Sequence, residues 1–400
     1  MLKSYKYKLK PNEDHIVLLN KHFGSIRFAY NHFLNERKKE YDTNKNTINY
    51  YDNAKSLTEL KKLEDYSWLN EINSQSLQYS LKCLDGAYQN FFKFKKGFPK
   101  FKSKHTKNSF SVPQSVKLEN GKLNIPKFKE PIDLILSRSF TGKIKSCTIS
   151  KTPTNEYFVS ILVETTHIIS PKTGKSVGID LGIKDFAITS DGYKYKNNRY
   201  TKTYAKKLKE NQQHLSRKVN GSNRYQKQKL KVATIYKKIT NSRLDNLHKV
   251  SSELIKKYDL IVLEDLNIKG MIKNHKLSKH IADASWSKFI ELLTYKAEWN
   301  NKKIVKIDRF FPSSKTCNSC GYINQNLKLD MRSWTCPSCN TKLDRDLNAS
   351  INILNEGYKQ ISSGTDDYRR GDEIRPTSVG TIDETSKFLN LVSEAHEPFV

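Results

Sequence analysis

Two cysteine pairs near residue 330 constrain this chain more than any other feature. Cys317 and Cys320 form one CxxC pair, and Cys336 and Cys339 form a second after fifteen intervening residues. Four thiolates on two short loops complete a tetrahedral shell, which structural Zn²⁺ prefers and which leaves no open position for a substrate. The spacing therefore predicts a zinc ribbon that holds one ion. Two disulfides or free thiols remain as alternatives, both disfavoured in a reducing compartment.

The segment Met1–Lys6 has no apolar signal core, and no run approaches the roughly 20 apolar residues that span a bilayer. We therefore expect an unexported, cytoplasmic protein that does not contact membranes. The first residues also predict structure, because Lys3–Lys10 alternates in the manner of an edge strand and Asn12 is placed to cap a following helix.

Charge narrows the class of partner. The 400 residues contain 71 Lys+Arg and 41 Asp+Glu, which gives a formal net charge of +30. Such an excess repels itself and favours a polyanionic partner, with nucleic acid as the first candidate. The chain is nevertheless expected to fold into several domains, because 36% of its residues are hydrophobic and Tyr and Phe supply core material.

Two basic segments are candidates for phosphate contact. From Asn90 to Lys107, seven lysines and no acid alternate with five phenylalanines. An isolated run of this kind is more often a solvated loop, but the charge of the whole chain favours phosphate contact by lysines such as Lys93, Lys100 and Lys102.

A second basic segment runs from Lys194 to Arg243, with sixteen basic residues against one acid. Its apolar periodicity predicts two long helices joined near residues 220–222, with one packed face and one positive face. We expect Lys227, Lys229 and Lys231 to contact nucleic acid there.

Three acids form the candidate reaction centre. Asp180 ends an apolar strand, Glu264 ends another, and Asp346 opens a predicted helix. Each acid alone is more often a cap or a solvated strand end, but the three together predict a site for divalent cations. Two Mg²⁺ ions about 4 Å apart would activate water and stabilise a leaving oxygen, which is nuclease chemistry.

The order of these motifs resembles the TnpB family of transposon-encoded, RNA-guided DNA nucleases. The resemblance covers roughly residues 1–355. It is carried by the segments Phe28–Phe33, Gly97–Lys102, Gly178–Ala187, Glu264–Asn267, Asp308–Cys317 and Asp344–Ala349.

The resemblance implies a multidomain α+β fold. Its expected parts are a wedge β-barrel (1–10 and 108–172) with an inserted helical recognition domain (11–107), an RNase H-like RuvC nuclease domain (173–310 and 343–356) with an inserted zinc ribbon (311–342), and a flexible tail (357–400).

The resemblance also assigns roles to residues. Asp180, Glu264 and Asp346 fall on the family's catalytic, magnesium-binding acids, and the four cysteines fall on its zinc ligands. Tyr50 and Gln78 fall where the family reads a short motif beside its target.

The implied partners are a guide RNA from the transposon end and double-stranded target DNA, in a prokaryotic, nucleoid-associated and monomeric ribonucleoprotein. A guide-directed repressor without cleavage and a strand-transferring transposase are the alternatives. The intact set of three acids disfavours the repressor.

Overall fold

The computed structural model describes residues 1–105, 107–166, 169–328 and 330–363. These residues form two compact units that divide near residue 166. Residues 357–362, expected in the flexible tail, instead continue the last helix, and the rest of that predicted tail from residue 364 lies outside the described residues. None of the helices in the described ranges is long and apolar enough to cross a membrane.

Unit 1 contains a seven-stranded antiparallel sheet that curls into a half-barrel. Its strands are β1 (Leu2–Lys10), β2 (Asn108–Val112), β3 (Lys117–Glu119), β4 (Lys122–Asn124), β5 (Ile132–Ile135), β6 (Lys143–Lys151) and β7 (Tyr157–Glu164). They lie in the order β2-β6-β7-β1-β5-β4-β3.

The prediction that Lys3–Lys10 is an edge strand is wrong. β1 pairs with β7 on one side and β5 on the other, because its alternating Tyr5, Tyr7 and Leu9 belong to the unit's core. Among the described residues the two outermost strands, β2 and β3, each pair with one neighbour, so the sheet is open where the resemblance implies a barrel.

Helices fill the segment between β1 and β2. They are α1 (Glu13–Asn44), α2 (Tyr50–Leu60), a 3₁₀ helix (Glu64–Glu71) and α3 (Ser74–Phe94). Asn12 caps α1 as predicted, because its side chain accepts a hydrogen bond from the His15 backbone N–H at 2.8 Å. Apolar residues of α1 and α3, such as Phe33 and Leu81, join the sheet residues in one core.

Unit 2 is built on a five-stranded mixed sheet. Its strands are β8 (Ser176–Leu181), β9 (Asp185–Thr189), β10 (Lys194–Lys196), β11 (Leu260–Glu264) and β12 (Lys303–Ile307), in the order β10-β9-β8-β11-β12. β8, β11 and β12 run parallel to one another, whereas β9 and β10 are antiparallel to their neighbours.

The helices of unit 2 are α4 (Tyr200–Ser216), α5 (Asn223–Lys257), α6 (Ile268–Met271), α7 (His275–Ala284), α8 (Trp286–Trp299) and α9 (Arg345–Ser362). The predicted helix pair with a break near residues 220–222 is confirmed as α4 and α5. One core joins β8 and β11 to α5 and α8, and a smaller one joins β11 and β12 to α9.

Helix α9 lies unusually close to the sheet, and Gly178 on β8 makes this possible. A Cβ atom at residue 178 would lie 2.1 Å from the carbonyl oxygen of Ser350 and 2.6 Å from the Leu354 backbone nitrogen. Only a residue without a side chain fits at this contact. The first turn of α9 is thereby placed near the carboxyl end of β8.

Candidate functional site

Two of the three predicted acids lie side by side at one edge of the unit 2 sheet. In the parallel pair of β8 and β11, Ile179 is in register with Leu263. The next residues are Asp180 and Glu264, so both carboxylates lie at the carboxyl ends of their strands, and both are half-buried. The sequence interpretation of each as the acid at a strand end is confirmed in position.

The third acid comes from the N-terminus of α9. Asp344 is the N-cap residue, and its side chain accepts hydrogen bonds from the backbone N–H groups of Asp346 and Leu347. Asp346 therefore lies in the first helical turn, where the partial positive charge of the helix favours a carboxylate.

The charges of Glu264 and Asp346 act on Asp180. Burial raises the pKa of Asp180 to about 7, and the nearby carboxylates of Glu264 and Asp346 raise it further, whereas Arg345 and Arg332 act in the opposite direction. Burial also raises the pKa of Glu264, opposed by a 2.6 Å hydrogen bond from the Ser313 hydroxyl. A buried carboxylate with two other carboxylates nearby marks a site that a cation would stabilise.

Two arginines hold Asp346 in this structure. Arg332 Nη1 lies 3.2 Å from Asp346 Oδ2, and Arg345 Nε lies 3.3 Å from Oδ1. Within the described ranges, the four cysteines are the one group of three or more acids, histidines or cysteines whose ligand atoms all lie within 4.8 Å of one another. The three carboxylates are therefore more widely spaced than a single shared ion would require. Their oxygen atoms are the ligand type that Mg²⁺ selects, so the donor set suits hard divalent cations.

The cysteine prediction agrees with the structure. The Sγ atoms of Cys317 and Cys339 are 3.7 Å apart, and those of Cys320 and Cys336 are 3.6 Å apart. A tetrahedron of Zn–S bonds of about 2.3 Å has edges of about 3.8 Å, so the cluster is consistent with one structural zinc.

Each CxxC pair lies on a tight turn, and a short hairpin supports the second. Cys317 N–H donates to the Tyr322 carbonyl and Cys336 N–H donates to the Thr341 carbonyl. Strands β13 (Ser333–Thr335) and β14 (Lys342–Asp344) form the hairpin. Trp334 is 7% exposed and packs with Cys317 and Cys336 in the small core of the ribbon.

Two asparagines connect this ribbon to the helix that carries Asp346. Asn348 Nδ2 donates to the Thr316 carbonyl at 2.7 Å and its Oδ1 accepts from Asn318 N–H at 2.9 Å. Asn352 Nδ2 donates to the Ser313 carbonyl at 2.8 Å. The ribbon therefore positions both Asp346, through α9, and Glu264, through the Ser313 hydroxyl.

Sequence reasoning missed the supporting roles of Ser313, Arg332, Arg345 and the two asparagines. Asn348 and Asn352 lie four residues apart on α9, so the repeated amide on one helix face was an available signal. No sequence pattern near Arg332 indicated this role, because its contact with Asp346 depends on how the ribbon folds.

The predicted motif-reading residues lie on one face of unit 1. Tyr50 begins α2 and is half-buried, and Gln78 is exposed on α3. Lys82, one helical turn after Gln78, places Nζ 5.5 Å from the Tyr50 ring centroid. Lys82 was not predicted, and it gives this face a positive charge.

The predicted phosphate-binding lysines fall into two groups. Lys93, Lys100, Lys227, Lys229 and Lys231 are exposed. Lys102 is exposed as a residue as well, but its Nζ lies 3.8 Å from the Tyr30 ring centroid, and burial of this ammonium lowers its pKa. Its ammonium is therefore directed to an aromatic face in this structure rather than to solvent.

Comparison with known proteins agrees with this layout. Three family models match: "Probable transposase" (OrfB of IS605) over residues 160–275, "Cas12f1-like, TNB domain" over residues 286–353, and "Helix-turn-helix domain" (OrfB of IS605) over residues 1–46. Residues 1–46 form β1 and the single helix α1 here.

Two relatives match nearly the whole chain. A "Putative RNA-guided DNA endonuclease" of Streptomyces pristinaespiralis is 35% identical over 378 residues, which cover 94% of this chain and 92% of the relative. The chain belongs to the TnpB/OrfB family of IS605 elements. A second member, "Putative RNA-guided DNA endonuclease InsQ" of Escherichia coli (strain K12), is 31% identical over 91% of this chain and 94% of its own length.

The family fold extends to a solved structure. The chain in the "Cryo-EM structure of the Cas12f1-sgRNA-target DNA complex" aligns with a TM-score of 0.55 over 85% of this chain and 82% of that chain, at 17% sequence identity. This likeness identifies the fold of the family member described here as Cas12f-like.

Proposed function

We propose that this TnpB/OrfB family member is an RNA-guided DNA endonuclease that cuts double-stranded DNA beside a short motif. The observation that carries the proposal is the convergence of Asp180, Glu264 and Asp346, from three distant parts of the chain, on one sheet edge. The names of the two relatives and the net charge of +30 support the same activity.

The three carboxylates are proposed to hold a pair of Mg²⁺ ions in a RuvC-type site. When bound, such ions supply a water nucleophile and stabilise the leaving oxygen of a phosphodiester. The strand order of the mixed sheet supports the RNase H-like assignment. Ser313 orients Glu264 through its hydrogen bond, and Arg332 and Arg345 pair with Asp346.

The same proposal assigns a function to each part of the chain. The half-barrel and its inserted helices would hold guide RNA and read the motif, with Tyr50, Gln78 and Lys82 on the reading face. Unit 2 would cut, and its ribbon would keep α9 in place. The exposed lysines of α5 would hold phosphates without reading sequence, because an ammonium has no fork to match base edges.

Cleavage and binding measured on the same variants test the proposal. The RNA that copurifies with the protein is sequenced. A DNA duplex that matches this RNA is then incubated with the protein and Mg²⁺. Asp180→Ala, Glu264→Ala and Asp346→Ala are each expected to abolish cutting while leaving binding of the matched duplex, because the positive surfaces remain. The exposed Asp330→Ala is the matched control and should cut normally.

Each outcome has a distinct meaning. Normal cutting by any one of the three variants would remove that acid from the site. Matched-duplex binding by wild type without any cutting would favour the repressor instead.

A further inference from the structure

A surface far from the three acids in sequence combines exposed rings with positive charge. We define the aromatic–lysine surface as residues 91–102, at the end of α3 and in the segment that follows. Four of its phenylalanines are exposed: Phe92 at 68%, Phe94 at 60%, Phe98 at 43% and Phe101 at 52%. The lysines between them at positions 93, 95, 96 and 100 are also exposed, and the surface contains no acid.

The surface is anchored at both ends. Helix α3 ends at Phe94, and the left-handed Lys95 donates its backbone N–H to the Asn90 carbonyl. At the other end the side chain of Asn31 on α1 makes two hydrogen bonds to the backbone of Lys102, of 2.9 and 2.7 Å. Pro99 between these anchors is buried. The segment that carries the rings is therefore fixed to α3 at one end and to α1 at the other.

The rings differ in how much of their area packs against other residues of the protein. Phe98 meets Tyr88 and Phe91 edge-on, with centroids 5.6 and 5.3 Å away, so it supports the surface. Phe92 and Phe101 keep more than half of their area in solvent, although Phe92 packs against Tyr88 and Lys38 lies 5.6 Å from the Phe101 ring. These exposed rings and Phe94 remain available to a partner.

The chemistry of the surface favours one kind of partner, a single nucleic-acid strand. Rings and ammonium groups alternate every one or two residues, as bases and phosphates alternate along a single strand, and base–aromatic stacking tolerates any sequence. A duplex hides its base faces, so it would contact the lysines alone. An apolar protein partner would leave the lysines uncompensated.

We propose that the aromatic–lysine surface stacks the unpaired bases of a single DNA strand. The proposal rests on the proposed function, because opening of a target duplex would supply that strand. The side chains of residues 91–102 are only Phe, Lys, Gly and Pro. None of these side chains accepts a hydrogen bond from a ribose 2′-hydroxyl, and their ammonium groups can donate to the phosphates of either nucleic acid, so the surface does not require RNA.

Substitution of the three available rings tests the stacking. The full-length protein, with its copurified RNA, carries Phe92→Leu, Phe94→Leu and Phe101→Leu together, which keeps apolar area and removes the π-faces. A second triple variant has Trp at the same positions. Tyr41→Leu is the matched control, because Tyr41 is an exposed aromatic in the same unit with a lysine Nζ 5.3 Å from its ring.

Affinity is measured by fluorescence anisotropy for labelled dT20 and for a duplex of equal length. Base–aromatic stacking strengthens the binding of single-stranded DNA. Without the three rings, the leucine variant should therefore bind dT20 at least about tenfold more weakly. Its duplex affinity and the salt dependence of its binding should change less than about twofold, because every lysine remains. The tryptophan variant and the Tyr41→Leu control should bind dT20 like wild type or more tightly.

Crosslinking identifies the contact directly. A single-stranded DNA containing 5-bromodeoxyuridine, irradiated with wild type, should crosslink to peptides containing residues 91–102. Wild-type dT20 affinity in the leucine variant, an equal loss for duplex, crosslinks only elsewhere, or crosslinks to these residues only with a bromouridine RNA would each overturn the proposal. Guide-directed cutting by the wild type is scored separately, so failure of the stacking proposal leaves the nuclease proposal standing.

Discussion

Replacing Asp180 by asparagine should stabilise the protein in the absence of Mg²⁺. The pKa of Asp180 is raised from 3.8 to about 7, mainly by burial and then by Glu264 and Asp346. A shift of about 3 units corresponds to about 4 kcal/mol of unfavourable free energy when the carboxylate is ionised. Asparagine has the same shape without the charge, so the free energy of unfolding at pH 8 should rise by up to about 4 kcal/mol.

The pH dependence of the difference in unfolding free energy between wild type and Asp180→Asn tests whether the Asp180 charge causes it. Because the folded-state pKa lies above the unfolded value, the wild type is penalised progressively as pH rises from about 4 to about 7, and fully above that range. The advantage of Asp180→Asn should therefore fall by about 2 kcal/mol, roughly half, between pH 8 and pH 5.5. Adding Mg²⁺ at pH 8 should stabilise wild type but not the variant.

The assay is thermal unfolding of both proteins in magnesium-free buffer without chelator, so that zinc is retained. For a unit of about 200 residues, each kcal/mol shifts Tm by about 2–4 °C. Asp330→Asn, exposed in the ribbon, is the control for removal of one carboxylate and should leave the Tm at pH 8 unchanged. An Asp180→Asn protein that is no more stable than wild type at pH 8, or whose advantage does not change with pH, would refute the reasoning.

Four further variants test other parts of the structure. Gly178→Ala should destabilise the protein by about 1–3 kcal/mol and reduce cutting, because its Cβ would meet the Ser350 carbonyl. Gly86→Ala, whose Cβ would meet nothing outside its own helix, is the control in chemical denaturation. Cys336→Ser should lower the zinc content below one per chain in elemental analysis and reduce cutting by loosening α9, and full zinc occupancy would contradict the site. Replacing Lys227, Lys229 and Lys231 together by Gln should flatten the salt dependence of binding for all sequences, whereas Gln78→Ala should weaken only duplexes with the correct motif; loss confined to one sequence in the lysine variant would reverse these roles.

Much of the candidate site could be predicted because its information is local. A CxxC pair is short enough that its turn brings both thiols to one side, so the spacing alone predicts a tetrahedral ligand set. The strands that end in Asp180 and Glu264 were visible as apolar runs with an acid at the end, and Asn12 was visible as a cap.

Other properties depended on contacts between distant residues. No local pattern shows that Ile179 is in register with Leu263, or that Gly178 lets α9 approach β8, and these two contacts place Asp180, Glu264 and Asp346 together. The interior position of β1 likewise depends on β5, which follows more than 120 residues later.

The basic segment at residues 91–102 shows the same difference between what the sequence determines and what the structure determines. Sequence by itself determined that residues 91–102 are positively charged and rich in phenylalanine, because composition needs no fold. Only the tertiary structure decided that Lys102 lies over Tyr30 while Phe92 and Phe94 face solvent. Periodicity and spacing are properties of the covalent chain, whereas register, burial and side-chain direction are set by packing against residues that the chain brings from far away.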